Sequence, residues 1–185
     1  ELIERYLRGE FAQEAGDVSP WLASLPYACD RWESLPKLQT WLAEGALVLC
    51  NRYVPANMAH QGSKLPADQR EAFFRWEERM EYDVFGLPRP DLHLLMDVPP
   101  KVAAELVRKR NAELGREDGQ DIHERDDSHL RRTAECYRAL ATADRGGPWT
   151  VVSCVAGQKL LAPAEIASRV WNAARDVIMN CGKSQ

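Results

Sequence analysis

The sequence predicts an α/β fold, a parallel sheet covered by helices on both faces, and two observations support this prediction. Three short apolar runs lack polar alternation, which is typical of strands buried on both faces of a sheet. Helical patterns alternate with these runs along the chain, and such alternation favours a parallel sheet. The predicted strands cover residues 46–50, 93–98 and 150–155.

Apolar periodicity and capping signals predict six helices around these strands. The second helix begins at Pro20, with Ser19 as its N-cap, and runs through Arg31. A fifth begins at Pro99-Pro100 and runs through residue 110. Apolar residues at helical spacing mark the other four: Leu2, Ile3, Tyr6 and Leu7 in the first; Leu35, Leu38 and Leu42, stopped by Gly45, in the third; Phe73, Trp76, Met80 and Val84 in the fourth; Ile166, Val170, Ala173 and Val177 in the last.

Two segments are predicted to be loops near the carboxyl ends of strands. Residues 55–67 contain Gly62 and Pro66 and follow the first predicted strand. Residues 111–127 are rich in Gly, Asp, Glu and Arg and offer almost nothing to bury. Ligands of open α/β sheets bind beyond the carboxyl ends of the strands, so both loops are where chemistry is expected.

Size and composition fit a single domain over residues 1–185. Hydrophobic residues make up 45% of the chain and charged residues 28%, which is ordinary for a globular protein. A net charge of -4 argues against a general nucleic-acid binder, which normally presents a basic face. No apolar run approaches the roughly 20 residues that a membrane-spanning helix needs. We therefore expect neither nucleic-acid binding nor a membrane span.

The five cysteines are odd in number, widely spaced and without a C-x-x-C pair. This pattern predicts reduced thiols rather than disulfides or a zinc site, and hence a reducing compartment, cytoplasm or mitochondrial matrix. The spacing of His93, His123 and His129 is not a ligand pattern, so no metal site is predicted. Because the chain begins with Glu1 rather than Met, we expect that upstream residues were removed or left out. No secretory signal is visible.

The densest group of candidate functional residues follows the first predicted strand. An arginine at this point, Arg52, is costly to bury unless it meets an anion, and a phosphate fits its fork. Upstream, Tyr27 and Arg31 lie one helical turn apart. A ring that stacks on a base and a guanidinium that reaches its edge would recognise a nucleotide. The alternative is core packing of Tyr27 with a snorkelled Arg31.

The order of these motifs resembles thymidylate kinase, a family of P-loop nucleoside-monophosphate kinases. That family has Asp-Arg-Tyr at a strand end, then a Ser-Asn step and a small-aromatic-Gln stretch. Residues 87–100 resemble its next strand and helix start, and residues 111–127 fall where the family has a mobile lid. The resemblance runs from Glu1 to about Met179. The matching residues are Asn51-Arg52-Tyr53, Ala56-Asn57 and Ala59-His60-Gln61.

The resemblance implies a dTMP kinase fold and site, with ATP and Mg as cofactors. Tyr27 would stack on thymine, Arg31 would hold the substrate and Asn57 would hydrogen-bond the base. His60 and Gln61 would complete the substrate site. The resemblance assigns catalytic roles to Arg52, which would contact phosphate, and to Arg116 or Arg125 in the lid, which would approach the transferred phosphoryl group.

The chain departs from the family pattern at several points. No G-x-x-x-x-G-K-[ST] sequence, whose backbone N–H groups and lysine hold ATP phosphates, occurs in the 185 residues. Asn51 replaces the motif aspartate and Ala56 replaces a serine. Pro26 lies inside the substrate helix, where a proline should kink the turn at a cost of roughly 3 kcal/mol.

Three hypotheses follow. The first is a non-catalytic homologue without cofactors, retained as a structural or accessory subunit with a protein partner or as a homodimer. The second is an active dTMP kinase whose P-loop segment is missing from this chain. The third is a nucleotide-binding regulator that needs only Tyr27, Arg31 and Arg52.

The resemblance also implies a gap in the sheet. In the family, the strand before the phosphate loop lies between the strands equivalent to residues 46–50 and 93–98. Each buried backbone group left unpaired there would cost about 1–3 kcal/mol. We therefore expect a segment of another chain, or an upstream strand, to fill the gap, rather than direct pairing of its two neighbours.

Overall fold

The computed structural model describes residues 2–8, 10, 18–113, 115 and 127–180. Helices dominate these residues, and one π-helical segment, Arg79–Val84, continues a helix. The elements in chain order are α1 (Leu2–Leu7), α2 (Pro20–Ala43), α3 (Val54–Gly62), α4 (Ala67–Glu78), β1 (His93–Asp97), α5 (Pro100–Glu113), α6 (Asp127–Thr142), β2 (Trp149–Ser153), β3 (Val155–Ala156), β4 (Lys159–Leu160) and α7 (Pro163–Asn180).

The sheet is a parallel pair of strands, β1 and β2. His93 lies opposite Trp149, and Asp97 lies opposite Ser153. The connection between the two strands contains α5 and α6, as a parallel crossover requires. The predicted α/β class is confirmed, and the predicted strands at 93–98 and 150–155 correspond to β1 and β2. The short strands β3 and β4 form a separate antiparallel hairpin.

The predicted strand at residues 46–50 is wrong, because this segment forms no strand and pairs with no described residue. The side chains of Leu47 and Leu49 are 70% and 89% exposed. An apolar run becomes a buried strand only when a neighbouring strand accepts its backbone hydrogen bonds. Met96 on β1 and Val151 on β2 are also exposed, so the described residues do not cover both sheet faces as predicted. Direct pairing of residues 46–50 with β1 is likewise not seen.

The second and third predicted helices are one continuous helix, α2. It begins at Pro20, whose missing N–H is not needed in a first turn, and it continues through Pro26 and Pro36. Tertiary contacts stabilise the helix near Pro26, because the carbonyl oxygen of Ser24 accepts a 3.1 Å hydrogen bond from Asn57 Nδ2. The predicted end of the second helix at Arg31 is therefore wrong.

The predicted loop at residues 55–67 contains the helix α3. Almost all of α3 is buried, and it packs against α2, α4 and α6. Pro55 lies in its first turn, where no intrahelical N–H is required. A Cβ atom at Gly62 would lie 2.6 Å from Cε1 of Phe74, so only glycine allows this close approach of α3 to α4. Burial on three sides overrides the turn signals of the sequence.

The fourth predicted helix is correct as far as residue 78, where α4 passes into the π-helical segment. The wider π turn rotates the faces of the helix, so Val84 is exposed although the apolar stripe predicted it to be buried. Glu77, Glu81 and Tyr82 are buried instead. The main core lies around α3, α4 and α6 and includes Val54, Met58, Ala59, Phe73, Phe74, Tyr82, Leu87, Cys136 and Leu140.

The predicted lid is only partly described. Helix α5 begins at Pro100 as predicted and continues to Glu113, and α6 begins at Asp127. Arg116, Arg125 and His123 lie outside the described residues. No described helix is long and apolar enough to cross a membrane. The four described cysteines are free thiols: Cys29, Cys50, Cys136 and Cys154.

Candidate functional site

A bidentate ion pair joins α2 to the π-helical segment. Arg31 donates from Nε to Glu81 Oε2 at 2.5 Å and from Nη2 to Glu81 Oε1 at 2.6 Å. Glu81 is completely buried, and Arg31 is mostly so. Two parallel charge-assisted bonds fix the plane of a guanidinium and leave Nη1 outside the pair. The structure therefore gives Arg31, predicted as a substrate contact, an internal partner that the sequence analysis missed.

A second carboxyl group holds Asn57. The Asn57 Nδ2 group donates to the carbonyl oxygen of Ser24 and to Glu77 Oε1. The opposite atom, Asn57 Oδ1, accepts no hydrogen bond from any described residue, and the same is true of Gln61 Oε1. These two side chains lie one turn apart on α3 and are 5% and 1% exposed. Two buried amide oxygens on one helix thus lack a hydrogen-bond donor among the described residues, and N–H groups of a ligand would satisfy them.

Burial and the neighbouring Glu81 carboxylate raise the pKa of Glu77 to about 9. Loss of solvation is the larger cause, because the charged form of a carboxyl is penalised in a dry site. The Glu81 charge and a hydrogen bond between the two carboxyls act in the same direction, whereas Arg31 acts against them. These causes favour the neutral form of Glu77, beside the Glu81 carboxyl group that pairs with Arg31.

Arg52 belongs to a different group of side chains. It is exposed, precedes α3 and has a left-handed backbone, with φ of 70°, which is uncommon outside glycine. Its side chain hydrogen-bonds the Tyr137 hydroxyl of α6, although burial still raises the pKa of Tyr137 overall. The ring of Tyr137 also lies edge-on to His60, with centroids 6.0 Å apart. The structure therefore brings Arg52 and His60 together through Tyr137, a residue that the sequence analysis did not select.

Tyr27 lies on α2, one turn before Arg31, and is half-buried. Its ring packs edge-on against Tyr6 of α1, with centroids 6.4 Å apart. Val18 and Ala23 belong to the same small cluster. This placement agrees with the alternative that Tyr27 packs in the core. Stacking of Tyr27 on a base stays a prediction.

The carboxyl end of β1 carries one acidic residue, Asp97, and Arg138 of α6 donates to it at 2.8 Å. Asn51, which takes the place of the motif aspartate, is exposed. The described part of the chain contains no group of three or more His, Cys, Asp or Glu side chains that could hold a metal ion. The described residues at this end of β1 therefore do not form a cluster of carboxylates that would fit Mg²⁺ with ATP.

The sequence analysis selected neither Glu77 nor Glu81, and only Glu77 had a signal in the sequence. Glu77 follows Phe73 by four residues, so the helical period places it on the buried face of α4. A carboxyl group on such a face needs a partner. Glu81 lies 50 residues from Arg31 in sequence, and no local pattern connects the two.

Comparison with known proteins agrees with the resemblance that the motifs carry. The family described as thymidylate kinase matches residues 1–154. The thymidylate kinase of Mycobacterium tuberculosis H37Rv is 32% identical over 82% of this chain and 70% of its own length. The probable thymidylate kinase of Pyrobaculum aerophilum is 30% identical over 75% of this chain and 64% of its own length. A Synechococcus thymidylate kinase is 29% identical, over 83% of this chain and 66% of its own length. The chain thus spans about two thirds of these relatives, and it belongs to the thymidylate kinase family.

Proposed function

We propose that these 185 residues bind a dTMP-like nucleotide and do not by themselves transfer a phosphoryl group from ATP. One observation carries the binding part of the proposal. The two residues that the family resemblance assigns to substrate and base, Arg31 and Asn57, are each held by a buried carboxyl group from the same helix. A buried ion pair is weak evidence for stability, so its placement beside a base-binding residue favours a functional role.

The hydrogen-bonding groups suit thymine. Thymine presents an N–H between two carbonyl oxygens. Asn57 Oδ1 would accept from the N–H, and Arg31 Nη1 would donate to a neighbouring carbonyl. Tyr27 would offer a ring face one turn from Arg31, and Arg52 would meet the phosphate. His60 and Gln61, also on α3, would complete the substrate site.

Two observations support the non-catalytic part. The 185 residues contain no G-x-x-x-x-G-K-[ST] sequence, and Asn51 stands where the family has a carboxylate. Phosphoryl transfer depends mostly on positioning and charge neutralisation, so losing the phosphate cradle removes most of the machinery. Arg116 and Arg125 stay candidate lid residues. On this proposal the chain serves as a binding module or accessory subunit, with a protein partner or as a homodimer.

The second candidate function is dTMP kinase activity completed by a phosphate-binding segment outside these residues. The 32% identity to a thymidylate kinase over 82% of this chain favours it. ATP and Mg²⁺ would then be used, and Arg52 would act at the phosphate.

Isothermal calorimetry with dTMP and an ADP-release assay with Mg-ATP and dTMP test the proposal. We expect heat of dTMP binding and no turnover for the 185-residue chain. Arg52→Gln should weaken dTMP binding, whereas Arg175→Gln, on an exposed part of α7, should not. Turnover that disappears in Arg52→Ala would overturn the non-catalytic part and support the kinase. Absence of dTMP heat would overturn the binding part.

A further inference from the structure

We propose that Glu77 is a positioning residue: it fixes the Asn57 amide so that the amide oxygen is presented to the ligand. Its partner Glu81 does the same for the Arg31 guanidinium. For the identity of the ligand this inference rests on the proposed function. It adds that two buried carboxyl groups hold the side chains that would meet the edge of the base.

The first step concerns the direction of the Asn57 amide. An amide has an NH₂ end that donates and an oxygen end that accepts. The NH₂ end of Asn57 faces two acceptors, the carbonyl oxygen of Ser24 and Glu77 Oε1. Reversing the amide would place its oxygen against these two oxygens. The two acceptors therefore hold one orientation, in which Oδ1 points away from both.

The second step concerns the proton on Glu77. Both oxygens of Glu81 already accept from Arg31. Glu77 Oε2 is buried and has no partner among the described residues if Glu77 is ionised. As an acid, Glu77 donates from Oε2 to the adjacent Glu81 carboxylate and still accepts from Asn57 at Oε1. The raised pKa of Glu77 agrees with this arrangement. The one positive and one negative charge in the site then balance.

The donors and acceptors on the edge of the base decide which base fits. An imide N–H can donate to Asn57 Oδ1 while a flanking carbonyl accepts from Arg31. Cytosine reverses this pattern, because its N3 is an acceptor and its exocyclic group is a donor. The N3 lone pair of cytosine would face Asn57 Oδ1, and neither acceptor would receive a hydrogen bond. Buried polar groups left unpaired in this way give strong discrimination between ligands. The arrangement therefore favours dTMP or dUMP over dCMP.

The test compares two substitutions of similar size. Glu77→Gln keeps a carbonyl for Asn57 and an N–H for Glu81, so dTMP affinity should stay within about twofold. Glu77→Met keeps the volume but removes both hydrogen bonds, so dTMP affinity should fall about tenfold and the preference over dCMP should shrink. Thermal melts establish that both variants are folded. A Glu77→Met variant with wild-type dTMP preference would overturn the proposal.

A measurement without nucleotide separates this inference from the proposed function. In the wild-type chain, the ¹³Cδ resonance of Glu77 should lie at the position of a protonated carboxyl at pH 7. The Asn57 NH₂ protons should exchange slowly in the wild type and in Glu77→Gln, and rapidly in Glu77→Met. Rapid exchange of the Asn57 NH₂ protons in the wild type would contradict the positioning role even if dTMP binds. The expected resonances without dTMP binding would support the positioning and overturn the proposed function.

Discussion

Arg31 and Glu81 illustrate at the scale of single residues how a buried charge depends on its partner. Removing one member of a buried pair leaves an uncompensated charge in a dry site, whereas exposed pairs are screened by water. The neutral acid Glu77 adds a hydrogen bond to this pair without adding a charge. Two adjacent carboxyl groups can therefore be buried beside one guanidinium, because only one of the two needs to be charged.

Glu81→Gln tests this dependence directly. The substitution leaves Arg31 without its counter-charge, and we expect the free energy of unfolding to fall by about 3–5 kcal/mol in urea denaturation. The matched control is Glu165→Gln, which removes an exposed pair with Arg169 at 2.9 Å. Exposed helix pairs contribute about 0.3–0.5 kcal/mol, so the control should change little. Equal effects of the two substitutions would contradict the role assigned to Glu81.

The raised pKa of Glu77 predicts a pH dependence of stability. The folded chain keeps Glu77 protonated up to about pH 9, whereas the unfolded chain ionises it above its ordinary value of 4.5. The unfolded state thus binds fewer protons between these values, so this contribution is present at low pH and is lost as pH rises. The slope approaches about 1.4 kcal/mol per pH unit.

Urea denaturation at pH 5 to 8 checks this prediction. The stability of the wild type relative to Glu77→Gln should fall as pH rises, since Gln cannot ionise. Other titrating groups, such as His93, are common to both proteins and cancel in the difference. Parallel pH profiles would show that Glu77 is ionised in the folded chain.

Among the helices and strands, the local sequence patterns gave correct predictions where the element pairs or packs with another described element. The apolar runs at β1 and β2 pair with each other, α2 and α5 begin as predicted, and the apolar stripes predicted for the first and last helices lie within α1 and α7. Residues 46–50 have an equally apolar pattern but no strand partner among the described residues, so the pattern alone could not decide their structure. The turn signal at Gly62 was misleading, because packing from three helices decides the conformation of α3.

Pro26 gives a prediction for the helix α2. In a helix interior, proline lacks an N–H and its ring crowds the preceding turn, so Pro26→Ala should raise the free energy of unfolding by about 1–3 kcal/mol. Pro20 is the control, because it lies at the first helical position, where proline is favourable. Pro20→Ala should give no gain in thermal or urea denaturation. A destabilised Pro26→Ala variant would show that the proline geometry itself is needed around Ser24 and Asn57.

At the scale of the whole molecule, large apolar side chains are exposed on residues 46–50, on the strand pair and on α7. They include Leu47, Leu49, Met96, Val151 and Trp171. Exposed apolar side chains on a protein surface can be covered by another segment or chain. Filling of the sheet beside β1 from outside the described residues, a protein partner and a homodimer stay predictions.

The exposed apolar side chains lead us to predict self-association of the chain. We expect the 21.0 kDa chain to sediment as a species larger than a monomer. Leu49→Glu should shift the distribution towards monomer, because it places a charge on the most exposed leucine. The control is Leu22→Glu, at an exposed site on α2. A strictly monomeric wild-type chain at high concentration would contradict the homodimer, though not a partner of another kind.

On the proposal made above, a dTMP-like nucleotide binds at Asn57 and Arg31. Titrating dTMP into ¹⁵N-labelled chain, and following the side-chain resonances of these two residues by NMR, tests it most directly. We predict saturable shifts of the Asn57 amide and the Arg31 Nε–H signals, with smaller shifts for an equal concentration of dCMP. Unchanged Asn57 and Arg31 signals at saturating dTMP, or shifts confined to α7, would contradict the account.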